Sequence, residues 1–135
     1  MNYAAIVQEI YAAFGRGDIP AILAHLHPDA AWESWSVDHS AQQAGLPYML
    51  PRNGAAEVAR FFEALAPMRF HVFDVLSLMA GGNQVASEIR LHVELPNGTH
   101  VHDEEMHLWT FDEQGKVTRF RHYLDTRKHL RAAGL

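Results

Sequence analysis

The sequence predicts an α+β fold on three observations. Apolar residues recur at helical spacing in the first half of the chain and alternate with a period of two in the second, and the alternating runs are separated by the turn phrases "AGGN", "PNGT" and "DEQG". Helices first and an antiparallel meander second put the sheet under a helical layer, because a sheet needs at least one covered face.

Tyr3, Ile6, Val7, Ile10 and Phe14 form the stripe of a first helix that Asn2 caps and that Gly15 and Gly17 end. Asp18 caps a short second helix with Pro20 in its first turn and Ile19, Ile22, Leu23 and Leu26 on one face, and Pro28 stops it. "AAWESWS" alternates Trp32, Ser34 and Ser36 against Ala31, Glu33 and Trp35, the pattern of a strand. Val37 to Gly54 reads as a loop with Pro47, Pro51 and an apolar tip of Leu46, Tyr48, Met49 and Leu50. A loop of that length is expected to be functional, here as a lid over a cavity mouth. Asn53 caps a third helix with the stripe Val58, Phe61, Phe62 and Leu65, closed by Pro67. Strands follow near 69–79, 84–95, 100–111 and 116–125, and a last helical turn covers 126–133.

At 135 residues, 48% hydrophobic and 20% charged, the chain reads as one domain over residues 1–135, large enough to bury a core. It has no cysteine, which excludes disulfides and thiolate chemistry and suits a reducing compartment. A net charge of −5 without a basic stripe excludes a nucleic-acid surface. No apolar run reaches membrane-spanning length and the N-terminus lacks signal-peptide order, so the expected location is cytoplasmic.

The turns decide which side chains share a face. Asn97-Gly98 at the centre of a two-residue type I′ turn sets Leu95 opposite His100, and then Glu88 opposite His107, Arg90 opposite Glu105 and His92 opposite Asp103. If "DEQG" pairs Phe111 with Lys116, the same face carries Trp109, His107 and Glu105 opposite Thr118, Phe120 and His122, and a tight "AGGN" turn adds Phe73, Val75, Ser77 and Met79. The other face then holds Ile89, Leu91, Val93, Leu95, Met106 and Leu108. Two arrangements fit. Either the apolar face packs on the helices and the charged face is a solvated ladder of cross-strand pairs, or the charged face lines a pocket and a second subunit covers the apolar one.

"IYAAFGRGDIPAILAHLHPDAAWE" resembles the opening, and "MHLWTFDEQGKVTRFRHYLDTRKHLRAAGL" the close, of the SnoaL-like branch of the ketosteroid isomerase-like, or nuclear transport factor two-like, superfamily. The resemblance implies a cone-shaped curved antiparallel or mixed sheet with three helices of the N-terminal half enclosing a pocket. It also implies a homodimer through the outer sheet face and a charged face that points inward. By the same resemblance the carboxylate base of the steroid isomerases falls at Ser34, the acid of their oxyanion hole at His107 and their helix-one tyrosine near Ile10. "FRHYLD" is similar to the closing phrase of the family's epoxide hydrolases, with His122 in place of the aspartate that helps to activate water.

His107 beside Glu88 or Glu105 has the form of a general acid or base oriented by a carboxylate, and His122 is its companion; these four are the expected catalytic residues. Arg90 either pairs with Glu105 or binds a ligand oxygen, and Trp109, Phe120, Trp32, Phe73 and Phe62 are the expected walls of the ligand site. His92, His107 and His122 share that predicted face with Glu88, Asp103 and Glu105, residue types that suit zinc or iron. "HVHDEEMH" lacks cupin spacing, however, and His100 and His102 should face the other way, so no metal is expected. His25, His27, His39 and His129 read as solvent residues or caps. The expected function is cofactor-independent acid-base turnover of a largely apolar small molecule, of isomerase, cyclase or hydrolase type. A non-catalytic ligand-binding module and a structural dimer are the alternatives.

Overall fold

A computed structural model describes all 135 residues. Helix α1 (Tyr3–Gly15) starts where the Asn2 side chain accepts the Ala5 N–H at 3.0 Å, and it buries Val7, Ile10 and Ala13. Asp18 caps α2 (Ile19–Leu23) by accepting the Ala21 N–H at 3.2 Å. The second helix ends earlier than the sequence suggests, because Leu26 already pairs with Val117 in strand β1 (Leu26–Trp32). Pro28 lies inside that strand rather than at a helix end. It is tolerated because the ladder to the neighbouring strand is broken between Leu26 and Ala31, where a missing N–H costs no bond.

The expected first strand over "AAWESWS" ends already at Trp32, and residues 37–54, expected as a loop, hold α3 (Ser40–Gln43), a 3₁₀ turn at Pro47–Met49 and strand β2 (Arg52–Asn53). Leu46, Tyr48 and Met49 are all buried. Helix α4 (Gly54–Leu65) begins at a glycine that nothing else could replace without strain: Gly54 has φ of 77° and an added Cβ would meet the Pro28 carbonyl oxygen at 2.7 Å.

Four long strands complete the chain: β3 (Arg69–Gly81), β4 (Gln84–Glu94), β5 (His100–Phe111) and β6 (Val117–Tyr123). Helix α5 (Thr126–Ala133) follows, capped by Asp125. The strands form one curved six-stranded sheet in the order β2-β1-β6-β5-β4-β3, mixed because β1 runs parallel to β6. The α+β architecture with helices of the N-terminal half over the inner sheet face is as expected.

One register differs, and it reverses a strand. The β4–β5 turn has three residues, with Gly98 at φ 85°: the Leu95 N–H donates to the Thr99 carbonyl, the Leu95 carbonyl accepts from the Gly98 N–H, and the Thr99 N–H donates to the Asn97 side chain. A two-residue Asn97-Gly98 turn would have required Pro96 to exchange both backbone bonds with Thr99, and proline has no N–H to give. The one-residue shift pairs Ser87 with His107, Ile89 with Glu105 and Leu91 with Asp103. Ile89, Leu91 and Val93 therefore face the helices and are buried, while Glu88, Arg90 and His92 face outward. The apolar surface expected for dimerisation is thereby undone, since only Met106 and Leu108 of its six residues remain on the outer face.

The other two turns preserve or repair the parity. In the β5–β6 pair His107 meets His122 and Trp109 meets Phe120, two residues beyond the expected partners, so the same side chains still point inward. In β3 a bulge between Phe70 and Val72 and another between Val75 and Ser77 keep Phe70 and Phe73 inside and turn Ser77 outward beside Glu88.

Candidate functional site

Between the inner sheet face and helices α1, α2 and α4 lies a cavity of about 90 Å³ with a mostly apolar lining. Trp32, Phe62, Phe73, Trp109 and Phe120 all line it, as the sequence predicts. Trp32 stacks on Phe120 with ring centroids 4.1 Å apart, and Trp109 lies 4.4 Å from the same ring. Trp32 keeps its indole N–H without a partner, an orphan donor in an otherwise greasy wall. The imidazole and carboxylate side chains of the lining are His107, His122, Glu105 and His129.

His107 is held from both ends. The Trp109 N–H donates to the Tyr11 hydroxyl oxygen at 3.1 Å, and that hydroxyl lies 2.7 Å from Nδ1 of His107. If the tyrosine proton is directed at Nδ1, the ring proton of His107 sits on Nε2, which faces Glu105 Oε1 at 3.7 Å. Burial pushes the His107 pKa below its ordinary value, Glu105 opposes that push and His122 adds to it. The ring is thus neutral. Burial also pushes the Tyr11 phenol upward, so the hydroxyl stays protonated.

His122 is held the opposite way. Oε1 of Glu33 accepts both its backbone N–H at 2.6 Å and its Nδ1–H at 3.1 Å. Burial opposes charge on His122, but the Glu33 carboxylate, with Glu105 and Asp103 nearby, outweighs burial and raises its pKa. With Nδ1 engaged, Nε2 is the nitrogen left to meet a ligand. Glu33 reaches this position because it leaves β1 at φ 55°, a left-handed conformation rare outside glycine. The turn folds its carboxylate under the sheet, where the Trp35 N–H also donates to it at 3.3 Å.

A third cluster sits where α5 docks. Nε2 of His129 donates to Asp103 at 2.8 Å and lies 3.1 Å from Glu105, while Nδ1 lies 2.7 Å from the Tyr48 hydroxyl. Burial would raise the Glu105 pKa, but the N–H groups of His107 and His129 and the charge of His122 hold it well below the usual carboxylate range. Burial pushes the Tyr48 phenol upward.

The sequence profile of the SnoaL-like domain matches residues 7–120. The chain belongs to the SnoaL-like family. An NTF2-like protein of unknown function from Burkholderia pseudomallei matches this SnoaL-like chain with a TM-score of 0.77 at 28% identity, over 98% of this chain and 97% of that one. TerC, co-crystallised with polyporic acid, gives 0.78 at 24% identity over 98% of both chains. The Δ5-3-ketosteroid isomerase from Mycobacterium sp. gives 0.71 at 20% identity over 93% of this chain and 94% of that one. No curated protein matches the chain.

The SnoaL-like scaffold gathers His107, His122 and Glu105 of the expected catalytic set, and it excludes Glu88. The register shift puts Glu88 on the outer face, 3.4 Å from Ser77. Arg90 is excluded for the same reason and pairs there with Asp74 at 3.1 Å. Of the two positions read from the resemblance, Ser34 is exposed while its neighbour Glu33 is fully buried, and Ile10 is followed by Tyr11, whose hydroxyl lies beside His107. His129, read as a solvent residue or cap, is buried at 2% exposure because α5 packs over the end of β5. Tyr48 was visible as part of an apolar tip, but its hydroxyl partner lies 81 residues away.

Proposed function

We propose that this SnoaL-like chain, as one domain, binds a largely apolar small molecule in the cavity and turns it over by cofactor-independent acid-base chemistry. The observation that carries the reading is the opposed bias of two histidines paired across β5 and β6: one lowered and neutral, one raised toward the imidazolium. Environments that push two titratable groups apart are how a site keeps an acid and a base ready at one pH.

In this reading His122 Nε2–H, with the orphan Trp32 N–H, donates to a carbonyl oxygen of the ligand. Tyr11 oxygen takes a proton from the adjacent carbon as its own proton passes to His107 Nδ1, and the electron pair moves onto the carbonyl oxygen. Glu105 stabilises the His107 imidazolium that results, as the buried carboxylate does in a Ser-His-Asp triad. Isomerisation and cyclisation both begin with this step. TerC with its polyporic acid and the ketosteroid isomerase support a small organic ligand for the fold. The cavity is smaller than the roughly 150 Å³ that holds a benzene ring, so a ring-sized ligand requires its walls to move. Tyr48, carried by the segment between α3 and β2, is a wall residue outside the packed sheet and long helices.

Hydrogen–deuterium exchange next to the carbonyl of 2-tetralone, followed by NMR, tests the step without knowledge of the natural substrate. Enzyme-dependent exchange is expected, lowered about 100-fold or more by Tyr11→Phe and by His122→Gln. The outward Glu88→Gln and Arg90→Gln variants should leave it unchanged. Exchange at the background rate with bound 2-tetralone would favour the alternative of a ligand-binding module without chemistry, and equal exchange in all four variants would remove the proposed roles.

A further inference from the structure

The outer sheet face carries a histidine cluster that the cavity chemistry does not use. His71 on β3, His92 on β4 and His100 on β5 each offer a ring nitrogen, and these three atoms lie within 4.8 Å of one another. Nε2 of His92 and Nδ1 of His100 are 2.7 Å apart. Nε2 of His71 is 3.0 Å from Glu94 Oε1, and Nε2 of His100 is 3.8 Å from the same oxygen. His102 stacks on His92 with ring centroids 4.0 Å apart.

Two features of the backbone build this cluster. The three-residue turn pairs Glu94 with His100 and His92 with His102, which brings two β4 side chains and two β5 side chains onto the outer face. The bulge between Phe70 and Val72 then lets β3 keep both flanking phenylalanines inside while His71 joins the outer group. With a two-residue turn His92 would have pointed into the cavity, away from His100. The metal set considered from the sequence, His92 with His107 and His122, is split between the two faces.

We infer that this outer-face cluster is a binding site for a divalent first-row transition-metal ion, held by His71, His92 and His100 with Glu94 completing the set. Imidazole nitrogens with one carboxylate oxygen suit zinc, nickel or copper and disfavour magnesium and calcium, which take oxygen ligands. Nitrogen ligands about 2.0–2.1 Å from a tetrahedral zinc stand about 3.3 Å from one another. The two close histidines must open slightly from their shared hydrogen bond and His71 must draw in. Both movements are side-chain rotations at the surface, where the His71 and His100 side chains are 37% and 48% exposed and no core packing resists. Arg69, opposite Glu94 on β3, and Lys128, whose ammonium donates to the His102 carbonyl at 2.8 Å, are the neighbouring cations. They weaken the site without entering it, which sets the expectation of micromolar rather than tighter affinity. The site is open to solvent on one side, so water fills any remaining coordination position.

The test is calorimetric titration of untagged protein with zinc chloride alone, with cobalt(II) absorption to report coordination. One zinc per chain is expected, with saturable micromolar binding that His92→Gln/His100→Gln abolishes and His25→Gln/His27→Gln leaves intact. Histidine side-chain NMR supplies an independent reading on the unaltered protein, in which zinc should shift the His71, His92 and His100 signals and leave His107 and His122 in place. No saturable binding, binding that survives the His92/His100 variant, or an NMR response confined to other histidines would each overturn the inference.

Discussion

The Tyr11 hydroxyl stands 2.7 Å from Nδ1 of His107, across 96 residues of sequence. The same oxygen accepts the Trp109 N–H, and with the tyrosine proton directed at Nδ1 the His107 ring proton belongs on Nε2. Tyr11→Phe leaves a buried imidazole nitrogen and a buried indole N–H unpaired. A loss of about 1–3 kcal/mol in urea denaturation is expected. Long-range proton–nitrogen NMR should show the Nε2–H form of His107 in the parent protein and a mixture of forms in the variant.

Glu33 does the opposite work for His122, and its removal should show in the pH dependence of stability. The folded-state pKa of His122 lies above the ordinary 6.5, so the folded protein holds a proton that the unfolded chain has released in the window above 6.5. The stabilisation is present in full below 6.5 and is lost as pH rises through the raised value. Glu33→Gln should therefore destabilise more below pH 6.5 than above the raised value, read from urea midpoints across pH. His107 has its pKa below 6.5, so its contribution runs the other way and is lost as pH falls through that lower window. His122 should titrate lower in the Glu33→Gln variant by NMR.

His129 joins two buried carboxylates to helix α5. His129→Ala leaves Asp103 and Glu105 without this partner in a site closed to water, which is expected to cost about 3–5 kcal/mol. The Tyr48 hydroxyl loses its partner in the same step. Chemical denaturation followed by tryptophan fluorescence measures the loss, and a variant as stable as the parent would show that α5 is held by other contacts.

Gly54 is required twice over, by its positive φ and by the Pro28 carbonyl beside it. Gly54→Ala is expected to destabilise by about 2 kcal/mol, through backbone strain and through displacement of β1 from the start of α4. Thermal melting of the two proteins compares them directly.

The sequence by itself determined the two long helices and the four long strands of the second half, the α+β order and the caps at Asn2 and Asp18, because these depend on periods and on residues within one turn of each other. It also determined which side chains of β5 and β6 share a face, the family resemblance supplying which face points inward: the β6 register moved by two residues, and an even shift changes partners without changing faces. The aromatic wall of Trp32, Phe62, Phe73, Trp109 and Phe120, together with His107, His122 and Glu105, was legible for that reason. The facing of β4 was legible in principle, since Pro96 has no N–H for a two-residue turn, but the Asn97-Gly98 pair is the stronger local pattern. One residue of slip moved Glu88 and Arg90 out of the candidate site and His92 into an outer cluster. What tertiary structure alone decided is which groups complete each histidine. Glu33 reaches His122 only through a left-handed turn after β1, Tyr11 reaches His107 only because α1 crosses the sheet there, and His129 is buried only because α5 docks on β5. These partners are 89, 96 and 26 residues apart. Local propensity carries no information over such separations; the burial of apolar faces fixes the approach of the elements, and the polar partners are then selected by what each buried imidazole must satisfy.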